Sequence, residues 1–270
     1  MNGEILQLIA LCCHANATLR SRRVPEPLPK NAAFDFCEFV RFVRPARTLF
    51  GRMTDRTFAS TPREWLATLP RDGVVRVRLA RASSNEPSAA DRTLAAFIGG
   101  GTWYLELVRA DGLSDFLLAD WQVHNLRAPD GRIWRTTYKQ VSGPSTNSSV
   151  IPLAHATANL KAALDDVATF ARKQNLSNWH ANFHAALDAF DPAKPPRFDN
   201  CADLAPPGVL PPDARMLLDA CQRAWVFGGM GSWNDMGFQE PDQAEYERVS
   251  ERLYQAVVGG LIAGANASAL

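Results

Sequence analysis

Hydrophobic positions recur with one rhythm before residue 150 and with another after it. In the first part the dominant rhythm is alternation, which puts every second side chain on one face of a strand. Residues 34–43 (FDFCEFVRFV) read as a strand with Phe34, Phe36, Val40 and Phe42 on a common face. Residues 74–81 read as another, with Val75, Val77 and Leu79 inward and Arg76 and Arg78 outward. Three more strands, 102–109, 114–125 and 132–141, form a meander. Asp111-Gly112 is a two-residue hairpin signal, and it predicts that Trp103 lies near Asp120, Leu105 pairs with Leu118 and Leu107 with Phe116. Pro129-Asp130-Gly131 marks the second turn.

Beyond residue 150 the period becomes 3.6. Leu160, Ala163, Leu164, Val167 and Phe170 make one helical stripe; Trp179, Phe183, Ala186, Leu187 and Phe190 make the next, with Ser177 as its cap. A third stripe (Ala214, Leu217, Leu218, Cys221, Trp225) ends at Gly228-Gly229, and a fourth carries Tyr246, Val249, Leu253, Val257 and Leu261. Helical spacing also opens the chain. Ile5, Leu8, Ile9, Cys12 and Leu19 share a face, with His14 on the opposite one. Thr61, Pro62 and Glu64 form a helix start with a capping box, and Ser88 caps a helix that stops at Gly99-Gly100-Gly101. Residues 24–30 are an extended proline-rich connector and 142–149 a polar linker. The expected fold is α+β: an N-terminal helix, an antiparallel sheet with a three-strand meander, and about four C-terminal helices. Regions 1–145 and 150–270 are expected to pack as one compact unit.

Charge follows the same division. Residues 1–150 hold 20 Lys+Arg and 14 Asp+Glu, net +6; residues 151–270 hold 9 and 14, net −5. The total of +1 excludes a wholesale basic coat for nucleic acid. The preference for arginine over lysine, in a chain also rich in alanine and proline, fits a GC-rich bacterial genome. No run of roughly 18 apolar residues suggests a membrane span. The first 17 residues (MNGEILQLIALCCHANA) lack a basic start, carry Glu4 in its place and interrupt the apolar run with Gln7, so they do not read as a signal peptide. Cys12, Cys13, Cys37, Cys201 and Cys221 are odd in number and include no Cys-x-x-Cys pair, which points to free thiols in a reducing cytoplasm.

Four constellations could carry chemistry. His180, His184 and Asp188 recur at i, i+4 and i+8, a spacing that can place two imidazoles on one metal ion, although the glutamate of His-Glu-x-x-His is missing. The segment 227–238 (FGGMGSWNDMGF) is rich in glycine and presents Ser232, Trp233, Asn234 and Asp235 for contact with a ligand or partner. It matches neither a phosphate loop nor a dinucleotide fingerprint. Cys13 and His14 point about 100° apart on a helix and cannot serve each other as nucleophile and base. Arg41, Arg76, Arg78, Arg135 and Lys139 with Trp121, Trp134 and Tyr138 could form a sheet face that stacks single-stranded bases. No catalytic set is complete and no cofactor is implied beyond the metal ion. The leading expectation is therefore a cytoplasmic, non-catalytic binding or accessory protein that recognises another protein. Seven tryptophans and many arginines suit such contacts. The alternatives are a hydrolase, metal-dependent or otherwise, centred on the histidine helix or the 228–237 loop, and a nucleic-acid binder using the sheet.

Overall fold

The structure, a computed structural model, describes residues 3–26, 32–47, 52–82, 92, 102–141, 151–194, 204–228 and 230–269. Its elements are α1 (Gly3–Ser21), α2 (Ala32–Asp35), β1 (Cys37–Arg47), β2 (Met53–Ala59), α3 (Pro62–Thr68), β3 (Val74–Ala82), β4 (Thr102–Arg109), β5 (Ser114–Val123), β6 (Trp134–Val141), α4 (Leu153–Lys173), α5 (Ser177–Asp188), α6 (Pro212–Ala224) and α7 (Asp242–Asn266). Short 3-10 turns occupy Trp233–Asp235 and Ala267–Ala269. The fold is α+β. The six strands lie in the order β2-β1-β6-β5-β4-β3. The expected helix over 88–98 and the linker over 142–149 fall outside the described residues, as does Cys201, with Arg92 the one described position of the former.

The sheet is mixed rather than antiparallel. β1 runs parallel to β6, from Cys37 opposite Trp134 to Val43 opposite Lys139. That pairing joins segments about ninety residues apart, and alternation within a strand says nothing about its partner. It also fixes where β1 begins. Phe34 lies in α2, and Phe36 is exposed, so the strand is shorter at its start than the apolar pattern suggests and longer at its end. The ladder stops two residues before Pro45, which has no N–H to donate.

Two registers differ from expectation. The β4–β5 hairpin pairs Leu105 with Leu117 and Leu107 with Asp115, one residue off the pairing that a two-residue turn would set. Arg109 N–H bonds to Leu113 O at 2.9 Å and Gly112 N–H to Arg109 O at 3.1 Å, with Gly112 at φ 83°. The loop is thus a turn followed by a left-handed glycine, the three-residue alternative. It puts Leu117 in the core and leaves Leu118 half-buried. In β3 a bulge between Val74 and Arg76 turns Val75 to solvent and gives the inward place to Val74.

α1 is not the one-sided helix that its apolar spacing suggests. Every residue from Ile5 to Thr18 is buried, His14 included. It packs on β3, β4, α3 and α7, between the sheet and the C-terminal helices, and a helix enclosed on all sides has no wet face. Its polar side chains are bonded internally. His14 Nδ1 meets Ala10 O at 2.8 Å, and Tyr138 Oη donates to Gln7 Oε1 at 2.9 Å. Beside it, Trp65, Phe42 and Tyr138 stack with centroids 4.7 and 5.2 Å apart. Cys12, Cys13, Cys37 and Cys221 are free and buried, and burial pushes the Cys12 thiol up to about 12.

α4, α5, α6 and α7 pack on one another, and α7 carries this set onto β3. α6 ends at Ala224, before Gly228, so the glycines follow the helix stop rather than cause it. Ser177 is the first helical residue of α5, and Leu176 occupies the cap. Thr61 caps α3 as expected, its side chain accepting from Glu64 N–H, and Glu64 accepts from Ser60 N–H at 2.7 Å.

Candidate functional site

The sheet has two edges, and the chain treats them differently. An edge strand turns alternate N–H and C=O groups away from the sheet, where they need partners. On β3 two asparagines supply them. Asn16 of α1 accepts from Val77 N–H at 2.9 Å and donates to Val77 O at 2.8 Å. Asn266 of α7 accepts from Leu79 N–H at 2.7 Å and donates to Leu79 O at 3.0 Å. Each amide copies the donor and acceptor of a neighbouring strand residue, so this edge is closed.

β2 forms the other edge and, among the described residues, pairs only with β1. Its residues 53–57 are all exposed, Met53 by 62%. Residues 41–59 contain five arginines (41, 44, 47, 52 and 56) against Asp55 alone. Asp55 faces Lys139, with the charged atoms 3.8 Å apart. Arg44 and Arg56 stand directly opposite each other across the ladder, an arrangement in which like charges repel. The Arg44 guanidinium lies 5.2 Å from the centroid of the Phe58 ring. Among the described residues, Arg44, Arg47 and Arg56 have no carboxylate within ion-pair distance. The corner is an open backbone edge under unneutralised positive charge. The pattern reading missed it because no strand was assigned to 53–59. The signal was present in the arginine spacing and in Thr54 and Thr57, which alternate poorly but favour strands.

The 228–237 loop is anchored inward. Ser232 and Asp235 form a reciprocal capping box around the 3-10 turn: Ser232 Oγ accepts from Asn234 N–H, and the Asp235 carboxylate accepts from Ser232 N–H at 3.2 Å and from Gly231 N–H. Trp233 is fully buried among Phe170, Trp179, Phe183 and Tyr246, and its indole N–H donates to Ser250 Oγ at 2.7 Å. Asn234 accepts from Arg92 Nη1 at 2.9 Å and donates to Arg92 O at 3.2 Å. Asp235 is exposed and Asn234 half-buried, so both reach the surface while holding the loop.

α5 brings its histidines together and leaves the aspartate apart. The Nε2 atoms of His180 and His184 are 3.1 Å from each other. Asp188 instead meets Lys194 Nζ at 2.9 Å. Among the described residues no three His, Cys, Asp or Glu side chains converge on a metal-sized point.

Trp121, Trp134 and Tyr138 lie on the sheet face opposite Arg41, Arg135 and Lys139, whose own face carries Phe39, with the Arg41 and Arg135 guanidinium groups 4.7 and 5.6 Å from its ring centroid. Trp134, Thr136 and Tyr138 alternate with Arg135, Thr137 and Lys139 along β6, and Tyr138 belongs to the core. The outward cations are engaged: Arg135 with Glu38 at 2.5 Å, Lys139 with Asp120 at 3.4 Å, and Arg41 with Thr137 at 3.1 Å. Trp121, Trp134 and Tyr138 therefore do not join these cations in a stacking platform. No helix among the described residues is long and apolar enough to cross a membrane. Comparison of the chain with family models, with curated proteins and with solved structures finds no match.

Proposed function

We propose that the protein is a non-catalytic binding or accessory protein that recognises another protein, accepting an acidic, extended segment of it as an additional strand on β2. The observation that carries this reading is the exposed β2 edge with unneutralised Arg44, Arg47 and Arg56 beside it. Main-chain hydrogen bonds would hold the segment, and its carboxylates would relieve the repulsion between Arg44 and Arg56. The same arginines oppose pairing with a second copy of β2, which protects an otherwise sticky edge. The four free, buried thiols support placing this activity in a reducing cytoplasm. A hydrolase on α5 has less support, since Asp188 is held by Lys194. Base stacking on the sheet has less as well, since Trp121, Trp134 and Tyr138 lie on the face opposite the cations and Tyr138 is buried in the core.

The test is fluorescence anisotropy with two labelled eight-residue peptides, one alternating glutamate with valine and one alternating lysine with valine. The acidic peptide is expected to bind, and to bind at least about tenfold more weakly to Arg47→Glu/Arg56→Glu. Equal binding of both peptides, or an unaffected double variant, would contradict the proposal.

A further inference from the structure

A cavity of about 210 Å³ lies between α3 and the sheet, lined by Arg44, Phe58, Trp65, Thr68, Arg109 and Gln140 among others. Its size is below the roughly 300 Å³ at which pockets for drug-sized ligands begin, so it suits a metabolite-sized molecule. Three features describe what it would take. Trp65 is fully buried, and its indole Nε1–H has no acceptor. An indole N–H is a donor only, and a buried donor without an acceptor is costly. Arg44 carries a charge that no described carboxylate neutralises, and its guanidinium is held over Phe58. Arg109, by contrast, is ion-paired with Asp115, so these two charges cancel within the lining.

We propose that this cavity binds a small organic acid, its carboxylate accepting from Trp65 Nε1–H and from the Arg44 guanidinium, and its apolar body resting on Phe58, Leu69 and Leu107. Asp72 also borders the cavity and gives it a negative charge, which makes an amine the natural competitor. An ammonium group, however, has no acceptor to offer the indole N–H. The site is distinct from the outer edge of β2: a peptide strand there engages backbone, whereas this ligand enters beside α3.

The experiment follows the Trp65 indole resonance in the nitrogen–proton spectrum of the full chain, assigned through its own backbone and confirmed by its loss in Trp65→Phe. Sodium benzoate is the probe, with benzylamine as the cationic control, both in 0.15 M salt so that long-range attraction is screened. Benzoate is expected to move the Trp65 resonance saturably, Arg44→Gln to weaken that response about tenfold, and benzylamine to leave it in place. Arg44→Gln retains Trp65 and the core stack, so the result does not depend on whether Trp65→Phe folds. A resonance that benzoate does not move, that benzylamine moves equally, or that responds as strongly in Arg44→Gln would overturn the proposal. Arg44 borders both sites, so the peptide measurement is read through Arg47 and Arg56 and this one through the Trp65 resonance, which lets either succeed while the other fails.

Discussion

Asn16 and Asn266 each give a whole side-chain amide to one residue of β3, and removal of either leaves a backbone donor and acceptor without partners in a buried setting. Asn16→Ala is expected to cost about 2–4 kcal/mol and to speed hydrogen exchange at the Val77 amide. An unchanged melting temperature would show that another group takes over. Trp233→Ala should cost about 3–5 kcal/mol, the range for removal of a buried large side chain, as read from denaturant midpoints. Asp235→Ala should cost about 1 kcal/mol, because the carboxylate caps its own turn. Glu4 supplies a pH dependence. Burial raises its carboxyl from 4.5 to about 7, so the folded state holds this proton more tightly than the unfolded chain. The associated stability is complete below pH about 4.5 and is lost as pH rises through 7. Glu4→Gln should therefore nearly match the parent near pH 4.5 and exceed it by about 2–3 kcal/mol at pH 8, as measured by urea unfolding. At this scale the sequence was partly legible. The Thr61 cap follows from turn chemistry, whereas Trp233, expected among the contact residues of its loop, is fully buried by rings of α4, α5 and α7 that its own segment does not reveal. The roles of Asn16 and Gln7 were not legible either, because a polar residue in a helix reads as a wet face until the rest of the fold encloses it.

α6 and α7 approach each other through glycine. A Cβ added at Gly264 would lie 2.7 Å from Leu218 Cγ, and one at Gly260 would lie 2.5 Å from Cys221 Sγ. Gly264→Ala is expected to destabilise by about 1–3 kcal/mol despite the better helix propensity of alanine, because the added methyl group overpacks the contact. A more stable variant in thermal melts would contradict this close approach. Element existence was readable from periodicity in each of the four C-terminal helices and in the meander. Register and ends were not. One residue of turn length moved every β4–β5 pair, and a bulge after Val74 exchanged Val74 for Val75. β2 escaped notice because an exposed edge strand has no apolar face to alternate. The histidine pair on α5 was legible from its i, i+4 spacing; the diversion of Asp188 to Lys194 was not, since Lys194 lies beyond the helix.

Across the whole molecule, helices from both ends of the described chain close one side of the sheet. Asn16 Nδ2 donates to Ser268 Oγ at 2.9 Å, and Cys12 faces the same turn. A fragment ending at residue 145 lacks Asn266 and the α7 surface on which α1 packs, and is expected to lose its cooperative melt. The charge division seen along the chain, +6 before residue 150 and −5 after it, acquires a location in this arrangement: much of the positive excess gathers at the β1–β2 corner, on the far side of the sheet from the closed edge. The order β2-β1-β6-β5-β4-β3 could not be read in advance, because it depends on β1 meeting β6 across the intervening β2, α3, β3, β4 and β5. It is this order that leaves β2, among the described residues, without an outer neighbour. The most direct measurement is amide hydrogen exchange over residues 53–59 with and without the alternating glutamate–valine peptide. Strand addition requires slowed exchange at alternate amides of β2, with β3 unchanged. Exchange on β2 that the bound peptide leaves unaltered would contradict it.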